Sequence, residues 1–273
     1  MKELISRAGA FALAAVAGIG ITILGEGVWG ALAVVNVRTS PQIPWSVGVM
    51  AALLAVLIAY LGGSGWPRSN AAERRRLLRW NPVKPSAFRW AILAGLLALA
   101  ALGGAWIALS DVVHIPAGAT PSLRGVPLWS QVALVIMGSL AAPLTEEAAF
   151  RGYAMGILER GWKSPWAALI VSSALFAGMH YTQGIDATKL SLYFTVGLIL
   201  GGVALLTNSL YPAMIVHGLG DVMGFTLLWP HDAPHTLVTQ GGRDPLFVPA
   251  VATLAICLPA SLVAFARLAR MTR

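Results

Sequence analysis

Long runs of apolar residues, separated by short polar stretches, follow one another along the whole chain. A helix needs about 20 apolar residues to cross the hydrocarbon core of a bilayer. Runs of this kind predict eight membrane spans, at residues 8–35, 44–65, 88–110, 128–159, 165–183, 189–207, 210–229 and 245–266. The pattern therefore predicts an all-α fold, a polytopic bundle of about eight transmembrane helices.

The composition supports this pattern and excludes several other classes of protein. Hydrophobic residues make up 57% of the chain and charged residues 11%, against about 45–50% and about 25% in soluble domains. A disordered chain needs low hydrophobicity and high charge, so that class is excluded. A disulfide scaffold is excluded as well, because Cys257 is the only cysteine. We expect a single membrane domain over residues 1–273.

The net charge of +8 is better explained by membrane topology than by binding of nucleic acid. Basic residues concentrate in segment 68–89, and such loops face the cytoplasm. With eight spans, both termini are then cytoplasmic as well. We expect a multi-pass protein of the cytoplasmic membrane with lipid as a partner and no nucleic acid, whereas the sequence predicts no oligomeric state. Residues 71–80 predict a short helix on the membrane surface.

Ionisable residues inside the predicted spans are the candidates for chemistry. A charge at the bilayer centre costs about 2.5–3.5 kcal/mol, so such residues need a reason to be there. Seven residues meet this description: Glu26, Glu146, Glu147, Arg151, His180, His217 and Asp221. Six of the seven fall in the second half of the chain, and we expect residues 128–229 to hold the catalytic core.

Two adjacent glutamates predict two different roles. Glu147 and Arg151 are four residues apart, so they share a helix face and can form an ion pair. Glu146 is offset by about 100° around the helix and has no cation on its own face. We therefore expect Glu147 and Arg151 to form a structural pair and Glu146 to be free to act as a general base. The alternative is one salt-bridge cluster without chemistry.

The two histidines of the spans each lie four residues from a second candidate. His180 follows Phe176, and His217 precedes Asp221. Asp221 can accept the ring proton of His217 and orient it, or both can face one ligand. Glu146 and His180 are each roughly 21–23 Å from the turn between their helices, so we expect them to face each other. For His180, an interhelical hydrogen bond is the alternative.

Three motifs follow one another in the order EExxxR, FxxxH and HxxxD, from Glu146 to Arg151, Phe176 to His180 and His217 to Asp221. Together they resemble the CPBP family of intramembrane proteases, named for CAAX proteases and bacteriocin-processing proteins. The type II CAAX prenyl endopeptidases belong to this family. The resemblance implies an intramembrane endopeptidase that cuts a peptide or a membrane-protein substrate.

The resemblance also implies roles for single residues. Glu146 would activate a water molecule with help from His180, while His217 and Asp221 would stabilise the oxyanion. The site would be shaped by three further residues, Glu147, Arg151 and Phe176. Eukaryotic-type CAAX enzymes carry Asn where this chain has Asp221. An ionised Asp cannot donate to an oxyanion, so Asp221 is either protonated or orients His217, and a prenylated substrate is not implied.

A zinc site is the alternative to a cofactor-free mechanism. Glu146, His180 and His217 make a set of two histidines and one carboxylate, which matches a catalytic zinc site with an open position. The HExxH motif is absent, however, and the three residues lie on three helices. We favour a glutamate mechanism without a metal.

Two other functions and one residue stay open at this point. A catalytically silent scaffold or chaperone can share the fold, and intramembrane charges also mark proton-coupled transporters. Glu26 is flanked by glycines that allow close approach of helices, so a packing contact is its expected role. A place on the substrate entry route is the alternative for Glu26.

Overall fold

The computed structural model describes residues 2–115, 123, 125–183, 186–228, 236–242 and 244–272. Every regular element in these ranges is helical, which confirms the all-α prediction. The amino-terminal half contains α1 (Lys2–Thr22), α2 (Val28–Thr39), α3 (Trp45–Leu61), α4 (Ala71–Leu78) and α5 (Pro85–Ser110). The carboxy-terminal half contains α6 (Leu128–Glu146), α7 (Met155–Trp162), α8 (Pro165–Met179), α9 (Ala187–Thr207), α10 (Tyr211–Met223) and α11 (Phe247–Met271).

Short irregular helical turns join or extend several of these helices. Three segments are π-helical, Ile23–Gly27, Glu147–Ala154 and Gly224–Leu228. Three others are 3-10 turns, Arg68–Asn70, His180–Gln183 and Val238–Gln240. The first two π segments connect α1 to α2 and α6 to α7, so each of these pairs forms one continuous helix.

Five helices of the described chain are long and apolar enough to cross a membrane: Ser6–Thr39, Pro85–Ser110, Leu128–Trp162, Ala187–Thr207 and Phe247–Met271. Two more apolar helices, α3 and α8, are shorter. All seven overlap predicted spans, and the chain is a multi-pass membrane protein. The eighth predicted span, 210–229, contains α10 and ends on a residue outside the described part. The count of eight spans and the side of the termini stay predictions.

The long helix Leu128–Trp162, here called the central helix, lies in the middle of the bundle. Helices α1, α8, α9 and α10 pack around it. All eight residues of its π segment are buried. Small residues make this possible: a side chain at Gly152 would meet the carbonyl of Leu77 at 2.9 Å. The neighbouring elements therefore approach the backbone of the central helix closely.

Tight turns bring the site-bearing helices side by side. The central helix ends at Lys163 in a left-handed conformation, and α9 ends likewise at Asn208. At the start of α8, the hydroxyl of Ser164 accepts a hydrogen bond from the backbone N–H of Ala167, which caps that helix. Each turn reverses the chain within a few residues, so α8 returns along the central helix and α10 along α9.

The predicted surface helix 71–80 is present as α4, but its inner face is buried. Leu77 and Leu78 are 7% and 1% exposed, and Arg74 is 4% exposed. This face packs against the π segment of the central helix. The segment thus closes one end of the bundle.

Candidate active site

Five helical elements bring the candidate residues together. Glu146 and Glu147 lie where α6 meets its π segment. His180 begins the 3-10 turn after α8, and both His217 and Asp221 lie on α10. The first π segment, on the amino-terminal helix, adds Glu26.

The π segment of the central helix begins about one helical turn after Pro143. Pro143 has no backbone N–H, so it donates no hydrogen bond in the ladder of α6, although its carbonyl accepts one from the N–H of Glu147. Four residues later the ladder changes register, and the N–H of Met155 bonds to the carbonyl of Phe150, five residues back. Irregular turns of this kind are common at functional sites because they redirect side chains. Here the redirected residues include Glu147 and Arg151.

Glu147 is the centre of the buried network. Its Oε1 lies 3.0 Å from Nη1 of Arg151, so the predicted ion pair is present. The same oxygen accepts a hydrogen bond of 2.8 Å from Nδ1 of His217. Glu147 is fully buried, and Arg151 is 1% exposed. A buried ion pair is stable only when its geometry is good and further hydrogen bonds, such as the one from His217, satisfy its charged groups.

His217 is oriented by Glu147, whereas the spacing offered Asp221 for this task as one of two alternatives. Since Nδ1 donates to Glu147, the other nitrogen, Nε2, points to the opposite side. Nε2 lies 3.5 Å from Oδ1 of Asp221 and 3.5 Å from Oε2 of Glu146. Spacing along one helix could not predict the contact between Glu147 and His217, because the two residues are 70 positions apart.

The helical offset predicted that Glu146 points away from Glu147, but in the structure both side chains reach His217. The side chain of Glu146, 3% exposed, reaches the same imidazole that Glu147 contacts. Glu146 lies near Nε2 of His217, and Glu147 lies near Nδ1. Their roles still differ, because Glu147 is tied to Arg151 and Nδ1 at short distance while Glu146 stands 3.5 Å from Nε2.

Phe176 shapes the site by covering the arginine. The guanidinium of Arg151 lies 4.2 Å from the centroid of the Phe176 ring. Nη2 of Arg151 also donates to the carbonyl of Gly197 at 3.4 Å. Phe150 meets the edge of Phe176 at 5.5 Å between centroids. The aromatic packing therefore fixes the cation that holds Glu147.

His180 reaches the cluster from the side of Phe176. Its Nδ1 donates to the carbonyl of Phe176 at 2.9 Å, and its ring is stacked on Tyr193 at 3.8 Å between centroids. His180 also interacts electrostatically with His217 and Glu26. Tyr193 was not among the predicted site residues. In the sequence, an aromatic residue of the site within an apolar span looks the same as one that only packs against its neighbours.

Glu26 makes a contact between helices, as its flanking glycines predicted. Its carboxyl group lies near those of Glu146 and Asp221 and interacts electrostatically with both. The adjacent glycines do allow a close approach, as predicted. The partner, which the sequence did not predict, is a helix of the site, so that Glu26 lies beside Glu146.

The cluster retains unused hydrogen-bond acceptors. Among the described residues, Oε2 of Glu147 and Oδ2 of Asp221 are buried without a hydrogen-bond partner. Buried acceptors of this kind normally find a partner, such as water or a ligand. Asp221 is 21% exposed at its side chain, so the cluster is accessible on that side.

The zinc alternative depends on how the side chains of Glu146, His180 and His217 are arranged. Within the described part of the chain, no three His, Cys, Asp or Glu residues are grouped so that they could hold a metal ion. Nδ1 of His217 donates to Glu147 and Nδ1 of His180 to the carbonyl of Phe176, which leaves Nε2 of each ring for a ligand. A mechanism without a metal stays a prediction.

Comparison with known proteins supports the resemblance seen in the motifs. Residues 128–223 match the family described as Type II CAAX prenyl endopeptidase Rce1-like. No curated protein matches the chain, and no solved structure does. The matched residues include all three motifs but not Glu26. This similarity covers the segment that carries the motifs, about a third of the chain.

Proposed function

We propose that the protein is an intramembrane endopeptidase in which Glu146 activates a water molecule. One observation carries this proposal. Nε2 of His217 lies 3.5 Å from a carboxylate oxygen of Glu146 and 3.5 Å from one of Asp221, while Glu147 holds the other ring nitrogen. The match of residues 128–223 to a family of endopeptidases supports the same activity class. A positioned base beside an oriented imidazole is what hydrolysis of an amide requires.

The reaction begins with a water molecule held between Glu146 and the scissile carbonyl. Glu146 removes one proton as the water oxygen attacks the carbonyl carbon, and a tetrahedral oxyanion forms. Glu146 then returns the proton to the leaving nitrogen as the C–N bond breaks. The products are a carboxylic acid and an amine, so that one water is consumed for each bond cut.

His217 stabilises the oxyanion through Nε2 when its ring carries two protons. Glu147 accepts the Nδ1 proton, and its negative charge favours the cationic ring. Preorganised donors of this kind are among the largest contributions to acyl transfer. An ionised Asp221 cannot donate, so we assign it the positioning of Nε2. His180, on the other side of Phe176, assists Glu146 and the attacking water.

The substrate is a peptide or a membrane-protein segment that enters the bundle. The family is named for prenylated CAAX substrates, but Asp221 replaces the Asn of the eukaryotic-type enzymes, so an unprenylated substrate fits equally. We propose a location in the cytoplasmic membrane, with eight spans and cytoplasmic termini. No cofactor takes part in the proposed steps.

The proposal is tested with a panel of quenched-fluorescence peptides, both prenylated and unprenylated. Purified wild type is compared with Glu146→Gln and with Glu159→Gln, each with and without a zinc chelator. Glu159 lies on the same helix, about 20 Å away, where it pairs with Arg79. The same chemical change there controls for the loss of one carboxylate.

We expect Glu146→Gln to lower kcat by about 10²- to 10⁴-fold, while Glu159→Gln and the chelator leave activity unchanged. Loss of wild-type activity with the chelator would overturn the cofactor-free mechanism. An active Glu146→Gln would overturn the role of this carboxylate. A folded wild type that cleaves no peptide, yet retains bound membrane proteins, would instead favour the scaffold alternative.

A further inference from the structure

Glu26 lies on the amino-terminal helix, outside the residues that match the family. The central helix brings its own glutamates to the site, but Glu26 comes from a helix more than a hundred residues earlier. Its side chain is half-buried, and its carboxyl group lies near enough to that of Glu146 for a hydrogen bond when one of the two carries a proton. A charged residue in a membrane span needs a partner, and here that partner is the proposed base.

The approach of the two helices is determined by Gly25. A Cβ atom at this position would lie 2.0 Å from Cγ2 of Thr145 and 2.6 Å from its Cβ. Two non-bonded carbon atoms cannot come this close, so only glycine allows the two backbones their present distance. Thr145 directly precedes Glu146, just as Gly25 directly precedes Glu26. The closest point between the helices therefore places the two carboxyl groups beside each other.

The contact continues along the same face of the amino-terminal helix. Gly18 lies against the ring of Phe150, and Trp29 lies against Gly138. Ala14, Gly25 and Trp29 are all buried. The face is thus tightly packed on both sides of Glu26, which holds the backbone of this residue beside the site.

The backbone at Glu26 is π-helical, like the segment that carries Glu147. The N–H of Val28 bonds to the carbonyl of Ile23, five residues back. This wider turn changes the direction of the side chains within it. Residues that carry such an irregular turn often serve a function.

We propose that Glu26 is a positioning residue for Glu146. The hydrogen bond between the two carboxyl groups fixes the orientation of Glu146, so that one of its oxygens is presented to the attacking water and to His217. This assignment rests on the proposed function of Glu146. It also means that the amino-terminal helix forms part of the active site, whereas the matched segment alone lacks one of its carboxylates.

Two substitutions at Glu26 separate a hydrogen bond from simple packing. Glu26→Gln keeps the shape and can either donate to or accept from Glu146, whichever group carries the proton. Glu26→Met keeps similar volume but makes no comparable hydrogen bond. Both variants are compared with wild type in kcat, KM and thermal unfolding in detergent, with Glu146→Gln as the reference.

We expect Glu26→Met to lower kcat by about 10- to 100-fold, with KM close to that of wild type. Glu26→Gln restores kcat to within about threefold of wild type. Equal activity of Glu26→Met and wild type would overturn the proposal, as would equal losses in Glu26→Gln and Glu26→Met. Glu146→Gln distinguishes a failure of the proposed function from a failure of the role of Glu26, because this variant would remain active only if the proposed function were wrong.

A double-mutant cycle tests the same contact without a substrate. Tm is measured for Glu26→Met, Glu146→Gln and the double variant. If the two carboxyl groups are partners, the effects of the single changes are not additive. Additive changes in Tm would overturn the proposal even if no peptide in the panel were cleaved.

Discussion

Two buried arginines, Arg151 at the site and Arg74 at the end of the bundle, show how differently the chain accommodates a charge. Each guanidinium lies over an aromatic ring, Arg151 at 4.2 Å from Phe176 and Arg74 at 4.4 Å from Tyr60. Their other partners differ. Arg151 is neutralised by a carboxylate, Glu147, which it shares with His217.

Arg74 is held almost entirely by neutral oxygens of the chain. Its guanidinium donates to the carbonyls of Tyr60, Pro67, Ser64 and Gly65, and to the side chain of Asn70. These bonds tie the connection between α3 and α4 into one unit. The comparison indicates that Arg74 serves structure, whereas Arg151 holds a carboxylate whose other partner is a reactive imidazole.

Removal of Arg151 is expected to have the largest effect. Arg151→Leu leaves Glu147 buried without its cation, which costs about 3–5 kcal/mol of unfolding free energy. Activity is lost as well, because Glu147 no longer orients His217. Denaturant unfolding in detergent measures the first effect and peptide cleavage the second. Stability equal to that of wild type would contradict the ion pair seen in the structure.

Removal of Arg74 is expected to have a smaller effect, of about 1–3 kcal/mol. Arg74→Leu deprives several carbonyls of their donor, but Ser64 and Gly65 are exposed and can bind water instead. The kcat per folded molecule should not change. Unfolding and cleavage are measured together on the same preparation. A loss of kcat without a loss of stability would remove the distinction between the two arginines.

The smallest effects are expected from substitution of Tyr60 and Phe176, the rings that lie against Arg74 and Arg151. Tyr60→Leu removes a ring that is 40% exposed and should cost about 0.5–1 kcal/mol. Phe176→Leu removes a fully enclosed ring and should cost about 2 kcal/mol. Only Phe176→Leu should also lower kcat, because this ring contacts His180 and His217. Equal activity of both variants would place Phe176 outside the site.

The positions of the helices could be predicted from sequence because hydropathy reports directly on burial in lipid. The Glu147–Arg151 pair was also predictable, since a spacing of four residues places both on one face. The contact between Glu147 and His217 was not, because it joins residues 70 positions apart. Such contacts depend on how helices pack, and spacing along one helix holds no information about this.

The interpretations of Glu146 and Glu26 were incomplete for the same physical reason. Regular helical geometry was assumed for both, whereas each lies in or directly before a π-helical segment. The glycines beside Glu26 indicated close packing, and the structure adds the partner, Thr145. An isolated glutamate in a span thus predicted an interaction but not its identity.

The central claim, that Glu146 activates water without forming a covalent intermediate, is tested most directly by isotope labelling. A peptide cut by the wild type is incubated with excess enzyme in H₂¹⁸O for a single turnover, and both product and enzyme are analysed by mass spectrometry. The account predicts one ¹⁸O atom in the new carboxylate of the product and none in Glu146. Label in the Glu146 carboxylate, with an unlabelled product, would contradict it.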